Sequence, residues 1–375
     1  MGSGTVIALA RAQGHVPIGV DIDPLAILLA RVWTTSLDVN AIRRRAKAVL
    51  ASAHHMSSGM KLRDAYPAGA DSETRQFTRY WFDAGGRKQL AALSAAIRRT
   101  RNSLVRDALW CSFSRLIITK QAGASLAMDL AHSRPHKTYG TAPLRPFDKF
   151  MEAVEYVLNN CIAVTDRKRG YNPKLVLGDA RYLDLPKESI DLVLTSPPYL
   201  NAIDYMRCSK FSLIWMGHSI GELRAIRGIS VGTEAGGRPE NDSCAERLMK
   251  ALRIHSRLTP RDRGVLRRFI EDMELALGEA ARVLVPGGRA IYVIGENTVG
   301  GVYIRNARII QHIAMNVGLE LDFRSSRALP ANRRYLPPPT RPNRSATLDA
   351  RMRREVILSF SKPRQGPAKL AAVRA

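Results

Sequence analysis

The spacing of apolar residues alternates between short continuous runs, typical of buried strands, and the three-to-four-residue repeat of amphipathic helices. Near the N-terminus this pattern predicts a helix over residues 6–13, a strand over residues 16–20 that ends at Asp21, and a helix from Pro24. Later strands are predicted over residues 174–178, 190–195, 290–294, 319–323 and 355–360, and later helices over residues 87–101, 104–118, 147–164, 205–216, 265–284 and 304–317. The run at 190–195 is almost wholly apolar, so we expect a parallel strand buried on both faces.

Strands that alternate with helices predict an α/β fold with an open, mostly parallel, doubly wound sheet. Ligands of such sheets bind at the carboxyl ends of the strands. Residues 31–170 interrupt the alternation with mainly helical patterns, so we expect a helical insertion there and one catalytic domain formed by residues 1–30 and 171–375. Residues 217–260 are expected to be rich in loops, and the Val-Pro-Gly-Gly run at 285–288 to turn from helix into strand.

Charge adds a functional constraint to this picture. The chain has 58 Lys and Arg against 33 Asp and Glu, a net charge of +25, which predicts a polyanionic partner such as nucleic acid. Lys and Arg outnumber Asp and Glu by more than two to one in residues 31–170, and by 13 to 2 in residues 324–375. No apolar run reaches the ~18 residues of a membrane span, and the N-terminus does not have the pattern of a signal peptide, so no membrane partner is expected.

Cysteine and histidine spacing argues against a metal site. None of the four cysteines belongs to a CxxC pair, which disfavours a zinc ribbon and suits a reducing cytoplasm. His132 and His136 have the spacing of helical zinc ligands, but Pro135 lies between them and no HExxH is present. We interpret them as loop residues and expect no metal.

A glycine turn opens the first predicted helix. Gly2, Ser3, Gly4 and Thr5 let the backbone approach a ligand and offer helix N-terminal amides, although a purely structural turn has the same pattern. Asp21, at the end of the next strand, is where a nucleotide-binding α/β fold hydrogen-bonds a ribose diol.

Two further strand ends carry candidate chemistry. Asp179 and Ala180 follow the strand at 174–178, and the Asp179 carboxylate is a candidate acceptor for an adenine amine or simply a turn acid. Ser196, Pro197, Pro198 and Tyr199 follow the strand at 190–195. The prolines hold carbonyls outward, the Ser196 hydroxyl and the Pro197 carbonyl can accept from an exocyclic NH₂, and Tyr199 offers a face for an extruded base.

These motifs together resemble the S-adenosylmethionine-dependent DNA amino-methyltransferases, the cytosine-N4 and adenine-N6 family. The glycine turn resembles motif I, residues 19–24 resemble motif II, and residues 195–199 resemble motif IV in the TSPPY form commonest among cytosine-N4 enzymes. Residues 285–288 resemble the turn before the fifth strand of class I methyltransferases. The resemblance covers about half of the chain and implies a class I, Rossmann-like fold.

The resemblance implies a role for each motif. S-adenosyl-L-methionine is the implied cofactor: the glycine turn would lie against its methionine part, Asp21 would take the ribose hydroxyls, Ile22 would lie against the adenine, and Asp179 would meet its amine. Residues 196–199 would hold the target base. A covalent cytosine-C5 mechanism needs a Pro-Cys nucleophile, and no cysteine here follows a proline.

The chain departs from the family at its start. The family usually has a strand and an Asp-Pro-Phe-x ahead of the glycine turn, whereas Met1 stands directly before Gly2 here. We expect either a true start further upstream, the hypothesis that we prefer, or a first strand supplied by another chain, or an inactive form.

The expected partners are double-stranded DNA and a cognate restriction endonuclease. The insertion and the C-terminal loop are expected to flank the DNA, and residues 217–260 with them. Candidate phosphate contacts are Arg98, Arg99, Arg101, Arg134, Arg333, Arg334, Arg341 and Arg344. The alternatives are adenine-N6 methylation, methylation of an RNA or protein amide, and an inactive DNA-binding subunit.

Overall fold

The computed structural model describes residues 1–120, 122–128, 130, 135–165, 171–198, 200, 206–232, 244–299, 301–328 and 354–364. The chain divides into two compact units. Unit 1 comprises residues Met1–Leu177 and Tyr205–Arg227, and unit 2 comprises Gly178–Asp204 and Gly228–Ala375.

Unit 1 begins with an α-β-α segment and continues as a helical bundle. Its helices are α1 (Thr5–Ala12), α2 (Pro24–Thr34), α3 (Val39–Gly59), α4 (Ser72–Trp81), α5 (Ala84–Arg98), α6 (Ser103–Arg115), α7 (Pro146–Thr165), α8 (Met206–Met216) and α9 (Ile220–Ile229). Strands β1 (Ile18–Asp21) and β2 (Lys174–Leu177) pair in parallel, with Asp21 opposite Leu177.

Short polar side chains fix where the helices of unit 1 begin. A carboxylate or amide at the N-cap accepts a backbone N–H that has no partner within the helix. The caps of α2 to α6 are Asp23, Asp38, Asp71, Asp83 and Asn102. The apolar faces of these helices enclose a continuous core that includes Phe82, Phe113, Phe150, Phe211 and Trp215. The helical pattern predicted for residues 31–170 therefore builds a packed core, covered by α8.

Unit 2 contains the second sheet and its own core. Its helices are α10 (Cys244–Ala251), α11 (Pro260–Val283) and α12 (Asn306–Asn316). The strands are β3 (Ile190–Thr195), β4 (Leu284–Gly295), β5 (Asn297–Val299), β6 (Val302–Ile304), β7 (Glu320–Ala328) and β8 (Arg354–Ser361). The sheet order is β3-β4-β8-β7, with β3 and β4 parallel and β8 antiparallel to both neighbours. Strands β5 and β6 form a separate hairpin.

The predicted α/β class with parallel strands is confirmed, and the predicted bounds of β3 are those observed. The expected burial of β3 on both faces is wrong. Leu192 and Leu194, which lie on the same face of the strand, are 48% and 42% exposed. Strand β3 is also an edge strand whose only partner among the described residues is β4. An apolar run alone does not reveal whether both neighbouring strands are present.

Two local expectations also need correction. Residues 217–260 contain α9, α10 and a 3₁₀ turn at His255–Arg257, so the segment is more helical than its sequence suggests. The Val-Pro-Gly-Gly run is an excursion within β4: Leu284 lies opposite Ile190 and Arg289 opposite Leu192, so four residues face Asp191 alone. Gly287 has φ +81°, which a residue with a side chain rarely adopts.

None of the helices in the described part of the chain is long and apolar enough to cross a membrane.

Candidate active-site residues

The glycine turn has the geometry of a ligand-binding turn. Gly4 caps α1 with φ +83°, and a Cβ built on it would lie 2.7 Å from the Cα of Ala30, so only glycine lets α1 approach α2 this closely. Gly2 has φ +59°, and a Cβ there would meet nothing within 4 Å. The turn is therefore tightly packed at Gly4 and open at Gly2.

Asp21 ties the end of β1 to this turn. Its Oδ2 accepts the Gly2 amide at 2.7 Å, and its Oδ1 accepts the Asp23 amide at 3.0 Å. Oδ2 also forms an ion pair with the N-terminal ammonium of Met1 at 3.1 Å. Oδ1 is therefore the carboxylate oxygen that can accept from a diol while the side chain holds the turn. Ile22 is half-buried beside it.

Asp23 is a more deeply buried carboxylate in the same segment. Its Oδ1 accepts the Leu25 amide at 2.8 Å, and its Oδ2 accepts the Ser209 hydroxyl at 2.6 Å. Burial raises the pKa of the Asp23 carboxyl above its ordinary range, against the lowering effect of these hydrogen bonds. Asp23 thereby joins the start of α2 to α8.

Asp179, in unit 2, has its charge held by arginine. Arg181 donates to both carboxylate oxygens of Asp179, the shortest contact being 2.6 Å, and forms a second ion pair with Asp272 at 2.5 Å. Hydrogen bonding to Asp179 raises the pKa of Arg181, which keeps the guanidinium charged. These bonds fix the orientation of the Asp179 carboxylate, and Ala180 beside it is exposed.

The Ser-Pro-Pro turn follows β3 directly. Ser196 is exposed, and its hydroxyl donates to the carbonyl of Val293 on β4 at 3.1 Å. The oxygen of a hydroxyl that donates in this way can itself accept a hydrogen bond. Pro197 and Pro198 are half-buried, and Tyr199 lies outside the described residues.

Two asparagines that the sequence interpretation missed hold the segment after this turn. The Asn297 side-chain amide donates to the carbonyl of Leu200, and its Oδ1 accepts from Asn306 at 2.9 Å. Asn306 is fully buried and also donates to the Gly295 carbonyl at 2.8 Å. The available signal was the polar run Gly295-Glu296-Asn297 at the carboxyl end of an apolar strand.

The predicted DNA contacts fall into three groups. Arg99 and Arg101 are exposed in unit 1. Arg98 is half-buried: its guanidinium donates to the Trp215 carbonyl at 3.0 Å and lies 5.8 Å from the Trp110 ring centroid, and burial lowers its pKa. This placement favours a packing role for Arg98. Arg134, Arg333, Arg334, Arg341 and Arg344 lie outside the described residues, as does His132.

Comparison with curated proteins finds a similarity along almost the whole chain. No family model matches the chain. It is 22% identical to the Type II methyltransferase M.MvaI of Kocuria varians, over 96% of this chain and 82% of that protein. The resemblance predicted from the motifs thus extends beyond them.

Among solved structures, the chain is similar to the cytosine-N4-specific PvuII DNA methyltransferase, with 17% identity, a TM-score of 0.29 and 53% of each chain covered. It is also similar to a DNA modification methylase from Thermus thermophilus complexed with S-adenosyl-L-methionine, with 18% identity and a TM-score of 0.26. That match covers 51% of this chain and 55% of the other. The chain spans about half the length of these structures.

Proposed function

We propose that the protein is an S-adenosyl-L-methionine-dependent DNA methyltransferase that methylates the exocyclic N4 of cytosine in a flipped-out base. The observation that carries the proposal is the Ser-Pro-Pro turn at the carboxyl end of β3. There the Ser196 hydroxyl donates a hydrogen bond to the Val293 carbonyl, and its oxygen can accept one. The similarity to the Type II methyltransferase M.MvaI over 96% of the chain supports the methyltransferase part of this assignment.

The turn suits the chemistry of an aromatic amine. The lone pair on such an amine is delocalised into the ring, which makes the nitrogen a poor nucleophile. Acceptors on both of its hydrogens, Ser196 Oγ and the Pro197 carbonyl, draw the nitrogen toward tetrahedral geometry and localise the lone pair. Pro198 stiffens the turn, and Tyr199 would stack on the base.

The cofactor supplies an electrophilic sulfonium methyl when it is bound. The glycine turn fits it, because Gly2 leaves open space at the N-terminal end of α1 and the amides there are unpaired within the helix. Asp21 would accept the ribose hydroxyls with Ile22 against the adenine, and Asp179, next to Ala180, would accept the adenine amine. Ser3 and Thr5 complete the turn, their hydroxyl oxygens 3.1 Å apart.

DNA is the proposed substrate, and the helical insertion at 31–170 is the proposed target-recognition region. Its positive charge supports phosphate contacts, for which Arg99 and Arg101 are the exposed candidates in the described part of the insertion. A restriction endonuclease that recognises the same site is the proposed biological counterpart of the enzyme.

We also propose that a strand from a further segment of polypeptide pairs with the outer edge of β3. Within the described residues this edge has no strand partner, and apolar side chains beside it are exposed. Unpaired edges tend to recruit strands. Hydrogen exchange at the Leu192 and Leu194 amides tests the proposal: protection comparable to that of β4 supports it, and fast exchange contradicts it.

The decisive experiment is transfer of labelled methyl groups from S-adenosyl-L-methionine to unmodified genomic DNA, followed by nucleoside identification. We expect N4-methylcytosine, and we expect Ser196→Ala to lose at least about tenfold in kcat, since a hydrogen bond in the transition state is removed. Ser189→Ala, an exposed serine just before β3, is the matched control and should keep full activity.

Three outcomes would contradict the proposal. Label recovered as N6-methyladenine would replace the base assignment. Full activity of Ser196→Ala would remove the proposed role of the turn. DNA binding without cofactor binding or methyl transfer would favour the inactive DNA-binding subunit.

A further inference from the structure

Four arginines of unit 2 gather around one pocket of about 360 Å³, a volume at the lower end of the range for ligand sites. The pocket lies where β4 and β7 end and β8 and α12 begin. Its lining residues are Glu296, Tyr303, Arg305, Arg308, Arg324, Ser325, Ser326, Arg354 and Val356. We call it the arginine pocket.

The arginine pocket holds more positive charge than its own residues neutralise. Glu296 is its single carboxylate, and none of the four guanidinium groups forms an ion pair with it within 4 Å in the described structure. By contrast, Arg327, further along β7, pairs with Glu355 at 2.6 Å. Like charges held together without a counter-ion repel one another, so the pocket favours an anionic ligand.

Glu296 is held in place by the helix beside it. The side chain is 7% exposed and accepts the backbone amides of Asn306 and Ala307 at the start of α12. Its Oε2 is buried without a hydrogen-bond partner. The carboxylate is therefore fixed by α12 and does not clamp the arginines, whose side chains are exposed and can turn toward a ligand.

The chemistry of the lining selects phosphate oxygens. Guanidinium groups bind phosphate through paired N–H donors, and hydroxyls such as those of Ser325 and Ser326 add further donors. Arg354 already donates to the Ser326 hydroxyl at 2.6 Å, which orients both groups. Because the arginines and Tyr303 are exposed, the pocket is open enough for a continuous backbone to pass across it.

The pocket also lies near the proposed base-binding turn on the same sheet. Ser196 bonds to Val293, and Glu296 is three residues further along the chain, roughly 10 Å at about 3.3 Å per residue. A DNA strand rises about 3.4 Å per nucleotide, so the two places are separated by about three nucleotides.

We propose that the arginine pocket binds a backbone phosphate of the DNA substrate, within about three nucleotides of the base that is methylated. This inference rests on the proposed function, because the substrate class comes from there. The role of the pocket is to fix the position of the strand, and it adds no selectivity for base sequence.

The test is binding of a fluorescent DNA duplex, measured by anisotropy between about 50 and 200 mM salt. The Arg305→Ala/Arg324→Ala variant should bind more weakly, and the slope of log K against log salt should shrink by about 0.9 for each phosphate that the protein no longer neutralises. Arg289→Ala, an exposed arginine in the middle of β4 opposite Ser361, is the control for loss of general charge. Slopes in the double variant that match those of the control would overturn the inference.

A second variant, Glu296→Gln, should strengthen DNA binding. Glu296→Gln removes the negative charge and keeps an oxygen to accept the α12 amides, so DNA affinity should rise by about twofold or more over Glu320→Gln, an exposed control on β7. Equal affinities of the two glutamine variants would contradict the assignment.

Inorganic phosphate separates this inference from the proposed function. Calorimetric titration with phosphate should give heat in the wild type that the double variant loses, and the absence of such a difference would count against the pocket. Methyl transfer is measured on the same preparations. If methyl groups are transferred but the salt slope of the double variant equals that of the control, only the phosphate site is refuted. If the slope of the double variant is reduced but no methyl group is transferred, only the methyltransferase assignment is refuted.

Discussion

At the scale of single residues, Asp23 shows how one carboxylate can organise a segment. It caps α2 by accepting a hydrogen bond from the Leu25 amide, and it accepts another from the hydroxyl of Ser209, which is far away along the chain. Burial disfavours its ionised form and raises its pKa. The Asp23 carboxyl therefore binds a proton more tightly in the folded state than in the unfolded state.

The raised pKa of Asp23 predicts that stability depends on pH. Because the pKa is raised on folding, the contribution of Asp23 is fully present below the unfolded value of about 4 and is lost as pH rises through the folded value. Asp23→Asn keeps an acceptor for the cap and removes the titration, so its free energy of unfolding should fall less between pH 4 and pH 7 than that of the wild type. Urea unfolding followed by tryptophan fluorescence measures the difference, and parallel pH profiles would contradict the prediction.

Substitution of Asn297 should slow methyl transfer without weakening the binding of S-adenosyl-L-methionine. Its amide holds the Leu200 carbonyl just beyond the Ser-Pro-Pro turn, so Asn297→Ala should loosen the turn and leave the glycine turn intact. We expect kcat for methyl transfer to fall by about tenfold to a hundredfold, with an unchanged KM for S-adenosyl-L-methionine. Thr298→Ala is the neighbouring control, and a rise in that KM would argue for general damage to the fold.

At the scale of elements, the glycine turn determines how α1 packs on α2. Gly4 and Gly2 both have positive φ, but a Cβ would collide with Ala30 only at Gly4. The turn therefore contains one glycine needed for both conformation and packing and one needed for conformation alone.

This difference predicts unequal costs for the same substitution. Gly2→Ala should destabilise unit 1 by about 1–2 kcal/mol, the strain of the left-handed conformation. Gly4→Ala adds overpacking of typically about 1–3 kcal/mol. Thermal unfolding followed by tryptophan fluorescence compares the two, since Trp33 lies on α2. Equal losses would mean that α1 shifts without cost.

At the scale of the whole molecule, two cores stabilise the chain. The larger core lies in unit 1. The other core lies in unit 2, where α11 and α12 pack with strands β4 and β8. All four tryptophans belong to unit 1, namely Trp33, Trp81, Trp110 and Trp215. Tryptophan fluorescence therefore reports on one unit, whereas circular dichroism reports on both.

Separate cores predict that different probes follow different unfolding transitions. Leu277 is fully buried in unit 2, and Leu277→Ala should cost about 2–5 kcal/mol there. It should shift the urea transition seen by circular dichroism and leave the fluorescence midpoint in place. Leu93→Ala, equally buried in unit 1, should shift the fluorescence midpoint. Coincident shifts by both probes would show that the units unfold together.

The sequence by itself determined the local features. The bounds of β3, the start of α2 after Asp23 and the glycine turn all follow from periodicity, capping and backbone preference within a few residues. The Ser-Pro-Pro turn at the end of β3 was predictable for the same reason. The short helix α9, with ten residues, was missed because a helix of that length is only marginally stable by itself and depends on packing.

Only the tertiary structure decided contacts between distant residues. Arg98 is predicted as a DNA contact, but it is half-buried, and its guanidinium donates to the Trp215 carbonyl and lies 5.8 Å from the Trp110 ring centroid. Asn297 reaches Leu200 across 97 positions of the chain, and the arginine pocket collects residues from 296 to 356. Such groupings depend on which strands become neighbours and which edges remain unpaired. Periodicity along the chain does not encode either.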